Sequence, residues 1–172
     1  KVSMLAIVFG VGFLLAGNFV SNAGAELTET EKKTARAQIL NGEGLIGTYY
    51  NSEDFYEREV GMIDILNTID YVWGDDRGQD WSAIWTGFIE GPATAQVTFI
   101  AEARDGLRLT VGNTVVIDGL REYSRRSGKV SMVKGKKEAI KVEFFSANEQ
   151  ALLRLYWKWP GQEKTIIPAS AL

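Results

Sequence analysis

The sequence has no histidine, no cysteine and only three prolines in 172 residues. Without histidine or cysteine there is no Ser-His-Asp or Cys-His triad and no His- or Cys-ligated zinc site. No disulfide can form, so an exported fold would have to be held by its core alone. Oxygen ligands remain, which makes calcium the metal to weigh. A formal charge of −3 lacks the basic surplus that general nucleic-acid binding requires. What the chain does have is 45% hydrophobic residues, 11% aromatics and 18 glycines. That describes one domain with a real core and many turns.

No charge occurs between Lys1 and Glu26. The apolar centre is Met4–Ala16, and Ala23-Gly24-Ala25 supplies small residues before the first acid. A basic start, a short apolar run and an A-x-A ending describe a signal peptide over residues 1–25. An uncleaved anchor using Val2–Val20 is the alternative. Either one places the remainder outside the cytoplasm. Residues 26–43 read as a linker with one short helix, capped by Thr28 with Glu31 three residues on and stopped at Asn41-Gly42.

From residue 44 to 172 the pattern is all-β. Leu45–Tyr50, Ile69–Trp73, Trp81–Ile89, Lys129–Val133, Ala139–Phe145 and Leu152–Trp157 read as strands. Trp81, Ala83 and Trp85 share one strand face, and Ile140, Val142 and Phe144 share another. Val97–Gly119 (VTFIAEARDGLRLTVGNTVVIDG) reads as strand, turn, strand, turn, strand. Its Arg104-Asp105-Gly106 is expected to be a hairpin turn at a sheet edge, with Gly106 taking a positive φ. Short strands at close intervals, separated by Gly, Asn or Asp, predict an antiparallel β-sandwich or barrel.

Five stretches carry a family resemblance: GLIGTYY at 44–50, IDYVWG at 69–74, WSAIWTGFI at 81–89, Val97–Gly119, and IKVEFFSANEQALLRLYW at 140–157. Their order and spacing resemble the PA-fourteen (PA14) family, named after the protective antigen of anthrax toxin, over Gly44–Leu172. The resemblance implies a β-sandwich of the kind attached to glycosidases, adhesins and bacterial surface proteins, taken to bind carbohydrate. In yeast flocculins of this family, two adjacent aspartates in the central turn hold a calcium ion that coordinates sugar hydroxyls. The matching positions here are Arg104 and Asp105. Asp105 would be the calcium ligand if calcium is bound. Arg104 removes an oxygen ligand and places a cation where the ion would sit, so binding without calcium or any other cofactor is expected.

The candidate carbohydrate-binding residues are Arg104, Asp105, Asn148, Trp159 and Tyr123. A carboxylate and a guanidinium can hydrogen-bond adjacent hydroxyls directly; in a plain turn the same two would form a local ion pair. Asn148, in the Ser146–Gln150 loop, either adds an amide to that site or simply forms the turn. Trp159, beside Pro160-Gly161, is the tryptophan expected to be most exposed, with Tyr123 next. Trp73, Trp81 and Trp85 sit in strands at positions that the resemblance assigns to the core, so core packing is their expected role. Asp75, Asp76 and Asp80 cluster in GDDRGQD, but Gly78 falls too early for an EF-hand. Arg121, Arg125, Arg126, Lys129, Lys134, Lys136 and Lys137 form a basic run that reads either as a contact for anionic polymers or lipid headgroups or as a solvated hairpin with lysine-protected edges.

These features predict a secreted, periplasmic or cell-surface protein that binds a glycan or cell-surface polysaccharide and is not an enzyme. Paired carboxylates can hydrolyse glycosides, but no such pair stands beside a nucleophile. The alternative is a structural or assembly subunit of an envelope complex, meeting protein partners through sheet edges or the basic hairpin. A membrane would be touched only through the N-terminal segment if it is not cleaved.

Overall fold

A computed structural model describes residues 44–50, 64–66, 69–73, 81–120, 126–147 and 151–172, together with Thr30, Lys33, Ser52 and Phe55. The leader, the linker helix, the Asp75–Asp80 cluster, Arg121, Tyr123, Arg125 and Asn148 lie outside the described residues, apart from Thr30 and Lys33 within the linker.

Among the described residues there are eleven strands: β1 Leu45–Tyr50, β2 Asp64–Leu66, β3 Asp70–Trp73, β4 Trp81–Glu90, β5 Ala95–Ala103, β6 Leu107–Val111, β7 Thr114–Gly119, β8 Arg126–Met132, β9 Lys137–Ser146, β10 Ala151–Lys158 and β11 Thr165–Ile166. One turn of 3-10 helix, Ala169–Ala171, follows. The first sheet has the order β2-β1-β4-β9-β6-β7, the second β11-β10-β5-β8, with β3 also paired to β10. Every pairing is antiparallel. The period-two patterns explain the two layers. Leu45, Ala83, Trp85, Leu109, Val142 and Phe144 from the first sheet and Val97, Phe99, Leu153 and Leu155 from the second are all buried in one core.

Aromatic packing organises the first sheet. Tyr49 meets Trp85 edge-on at 5.9 Å, and Trp81 lies 5.5 Å from Phe144. Gly47 makes room for the Trp85 ring, whose atoms would stand 2.7 Å from a Cβ there. Trp81 and Trp85 are therefore core residues, as the resemblance implies; the side chain of Trp73 lies outside what is described. At the β7–β8 margin the two sheets touch: a Cβ on Gly128 would run into the Val116 carbonyl, and Arg126 Nη1 donates to the Asp118 carbonyl at 2.8 Å.

Two sequence expectations are corrected here. The Arg104–Gly106 segment is not a hairpin turn, because β5 and β6 lie in different sheets and the segment crosses between them. The hairpin is the next turn, Gly112-Asn113, where Val111 pairs with Thr114 and Gly112 adopts φ +58°. Likewise β8 and β9 belong to different sheets, so the basic run is no hairpin.

The sandwich has two unlike ends. At one, the turn end, short connections join the strands: Gly91–Thr94, Gly112-Asn113, Val133–Lys136 and Trp159–Lys164. At the other, the loop end, lie the strand termini that flank residues 51–63, 74–80, 121–125 and 148–150. Tyr50 pairs with Ser82 and Trp81 with Ser146, and in the other sheet Trp73 pairs with Ala151; Asp64, opposite Gly47, and Arg126, opposite Ala101, start three to four residues further in.

Candidate functional site

Asp105 stands at the loop end. Strand β5 leaves its sheet at Ala103, and Arg104 N–H still donates to the Leu152 carbonyl at 3.0 Å. The chain then crosses, and the Gly106 carbonyl accepts from Phe145 N–H at 3.0 Å, tying the segment to the end of β9. Between these anchors Asp105 is only 4% exposed. The Ser146 hydroxyl, itself fully buried, donates to Asp105 Oδ2 at 3.0 Å. Arg104, one residue earlier, is exposed. The pair expected to act side by side is thus split: the carboxylate turns inward and the guanidinium-bearing residue outward.

Gly106 is required by space, not by φ. Among the described residues, the glycines with positive φ are Gly44, Gly112, Gly135 and Gly161. A Cβ on Gly106 would lie 2.0 Å from Phe145 Cε1 and 2.5 Å from the Leu120 carbonyl oxygen. The missing side chain lets Phe145 and Leu120 close over the crossing and hold Asp105 in place.

Sequence reasoning missed Ser146 as the partner of Asp105, although the signal was present. Ile140, Val142 and Phe144 fix the inward parity of β9, and Ser146 continues it. A hydroxyl at an inward position needs a polar partner. The loop assigned to Ser146–Gln150 does start beside Asp105, which brings the strand ends around Asn148 to this site; the Tyr123 loop is flanked by termini at the same end. Trp159 is elsewhere. Trp157 pairs with Phe99, so Trp159 is level with Val97, about 20 Å along β5 from Ala103. Among the described tryptophan side chains it is the most exposed, as expected, but still half-buried, because it packs edge-on against Trp157 at 5.7 Å.

As a calcium cradle, the described part of the crossing offers the Asp105 carboxylate and the Ser146 hydroxyl. Calcium takes six to eight oxygens, backbone carbonyls included. Among the described residues, no group of three or more His, Cys, Asp or Glu is placed to hold a metal ion.

A second polar cluster lies on the outer face of the β10–β5 sheet. Arg154 Nε donates to Asp70 Oδ1 at 2.7 Å. Tyr156 OH donates to Glu102 Oε2 at 3.0 Å, and Lys164 Nζ donates to Glu102 Oε1 at 3.3 Å while sitting 4.1 Å from the Tyr156 ring centroid. Burial, then the hydrogen bond to Glu102, pushes the Tyr156 hydroxyl above its ordinary value. The hydrogen bond to Asp70 raises Arg154.

Two antiparallel sheets sharing one aromatic core, with a carboxylate fixed at the crossing between them, define an all-β sandwich module. The family model of the PA14 domain matches residues 42–171, and the chain belongs to that family. It is 35% identical over 139 residues to the anti-sigma-I factor RsgI3 of Acetivibrio thermocellus, covering 76% of this chain and 21% of that protein. A solved anti-sigma factor domain-containing protein superposes with a TM-score of 0.70 at 33% identity, over 76% of this chain and 48% of the other. The chain therefore spans about a fifth of the curated relative and about half of that solved chain. A sugar-binding PA14 domain from an RTX adhesin shares the fold, with a TM-score of 0.59 at 19% identity over 74% of this chain and 96% of its own.

Proposed function

We propose that this PA14 domain binds a polysaccharide outside the cytoplasmic membrane, without cleaving it and without calcium, as the sensing part of an anti-sigma-type receptor. The observation that carries the reading is the placement of Asp105. Its carboxylate is fixed by Ser146 at the end of the sandwich where four connecting segments begin and finish, with Arg104 exposed beside it. Arg104 is the direct contact to sugar hydroxyls, and Asp105 holds the segment that presents it; Tyr123 and Asn148 belong to loops flanked by the same end. A sugar-binding relative of the same fold supports the ligand class. Two anti-sigma relatives above 30% identity support the receptor role. A sigma factor works on transcription inside the cell, so a polysaccharide sensor outside must be joined to it across the membrane. In this reading the apolar Val2–Val20 stretch is the anchor, not a cleaved signal.

The test is a polysaccharide array probed with wild type, Arg104→Ala and Asp105→Ala, with and without a chelator. Chelator-resistant binding that falls at least tenfold in Arg104→Ala, with the variant still folded, supports the site. Binding abolished by chelator overturns the calcium-free mechanism. Absence of glycan binding together with a co-purifying protein partner overturns the reading in favour of an envelope assembly role.

A further inference from the structure

The turn end carries features that the loop-end site does not use. Lys134, Lys136 and Lys137 crowd the connection between β8 and β9, and Lys158 and Lys129 flank Thr98 on neighbouring strands; all five are exposed. With Lys164, which is also exposed in the Trp159–Lys164 connection, the lysines here number six against Glu90, Glu138 and Glu163, at one end of a chain whose net charge is −3. Lys136 is paired to Glu138 at 2.6 Å. Lys134, Lys137 and Lys158 form no ion pair with any described residue. Among these charges stand exposed apolar groups. Val133 is 50% exposed and Val115 52% exposed, and Trp159 is half-buried at the base of the Pro160-Gly161 turn.

The domain is also joined to the rest of the chain near this end. Gly44 N–H donates to the Leu172 carbonyl at 3.1 Å, so the two termini of the domain meet. Leu45 pairs with Gly87, which sets Gly44 level with Phe88. Glu90, opposite Lys137, is two residues further on, about 7 Å. Trp81, at the loop end, is seven residues the other way, about 23 Å.

We propose that the turn end is a membrane-docking surface for anionic phospholipid headgroups, with Lys134, Lys137 and Lys158 as the electrostatic contacts and Val133, Val115 and Trp159 entering the interface. This rests on the reading of Val2–Val20 as the anchor. Lysines beside a negatively charged bilayer add attraction that falls off within a Debye length. Tryptophan and aliphatic side chains flanked by lysine suit the headgroup boundary. Docking this way places Gly44 on the bilayer side and points the Asp105 end outward. Trp159, about 20 Å along β5 from the Asp105 end, then has a role of its own.

The absence of native cysteine makes the test clean, since one introduced cysteine labels one place. The full chain carrying Asn113→Cys (turn end) or Arg104→Cys (loop end) is labelled with a fluorophore. It is then reconstituted in vesicles of phosphatidylcholine, or of phosphatidylcholine with phosphatidylglycerol, each bearing headgroup nitroxide. The Asn113 label is expected to be quenched in the phosphatidylglycerol vesicles, much less in neutral ones, and progressively less as salt is raised. The Arg104 label is expected to stay unquenched in both. Combined Lys134→Glu, Lys137→Glu and Lys158→Glu lowers the docked-to-undocked ratio at least fivefold, with the thermal melt unchanged. Equal quenching of Asn113 in neutral and anionic vesicles, or quenching indifferent to the triple reversal, overturns the proposal. So does binding of the turn end to a soluble anionic wall polymer in preference to the vesicles. Failure of the anchor is read separately: a chain washed from the vesicles by alkaline carbonate is not anchored by Val2–Val20, whereas a retained chain with unquenched Asn113 rejects docking alone.

Discussion

Ser146 and Asp105, 41 residues apart in sequence, are joined by a 3.0 Å hydrogen bond inside the protein, and both are buried. The bond links the end of β9 to the crossing between the two sheets. Replacing Ser146 by alanine removes a donor from a buried carboxylate, which costs about 1–3 kcal/mol. The expected outcome is a lower urea midpoint with an unchanged m-value. A double-mutant cycle with Asp105→Asn should return a coupling of at least about 0.5 kcal/mol. Additive single effects would show that the contact does not hold the crossing.

Gly106→Ala should destabilise the same crossing by overpacking, at about 1–3 kcal/mol. The added methyl meets the Phe145 ring and the Leu120 carbonyl. The ring can be shortened and the backbone cannot, so Phe145→Leu should rescue only part of the loss. Full stability in Gly106→Ala, read from the thermal melt, would mean that Phe145 and Leu120 yield at little cost.

These two residues also mark where sequence reading works and where it stops. The strands were legible because one face of each sheet is buried, and burial imposes the period of two seen at Trp81, Ala83 and Trp85 or at Ile140, Val142 and Phe144. The crossing was not legible. Arg-Asp-Gly between two alternating runs carries the same turn signal whether the next strand pairs with the last or starts the opposite sheet. Only the partners settle it: β5 pairs with β8 and β10, and β6 with β7 and β9. The role of Gly106 was hidden for the same reason, since the groups that exclude a side chain there come from residues 120 and 145. The placement of Trp159 needed the β10–β5 register, which no local pattern encodes.

The Tyr156–Glu102 contact predicts a pH dependence at the alkaline side. Burial and the hydrogen bond to Glu102 favour the protonated phenol in the folded state, so its pKa lies above that of the unfolded chain. The folded state then binds more protons than the unfolded state once pH passes the ordinary tyrosine value, about 10. The stabilisation is complete below that value and is lost as pH rises through the folded pKa. The denaturation midpoint of wild type should therefore fall more steeply above about pH 10 than that of Tyr156→Phe. Parallel curves for the two proteins would show that another group governs the alkaline transition.

Arg104 supplies the sharpest test of whether this domain differs from metal-dependent members of its family. The resemblance places a second aspartate at this position in calcium-binding relatives. Here an exposed arginine stands next to the Ser146-held carboxylate. Arg104→Asp removes a positive charge and adds oxygens beside Asp105, and both changes favour a divalent cation. Wild type should melt at the same temperature in calcium and in chelator. Arg104→Asp should melt higher in calcium, and a ligand at one hundred times its Kd adds about 2.7 kcal/mol. The same variant should lose chelator-resistant glycan binding, because the guanidinium proposed to reach the hydroxyls is gone, and regain binding only when calcium is supplied. A calcium-dependent melt in wild type would show that loops at the Asp105 end complete a metal site despite Arg104. A calcium-indifferent Arg104→Asp would show that the inward turn of Asp105 onto Ser146, and not the arginine charge, is what sets this domain apart.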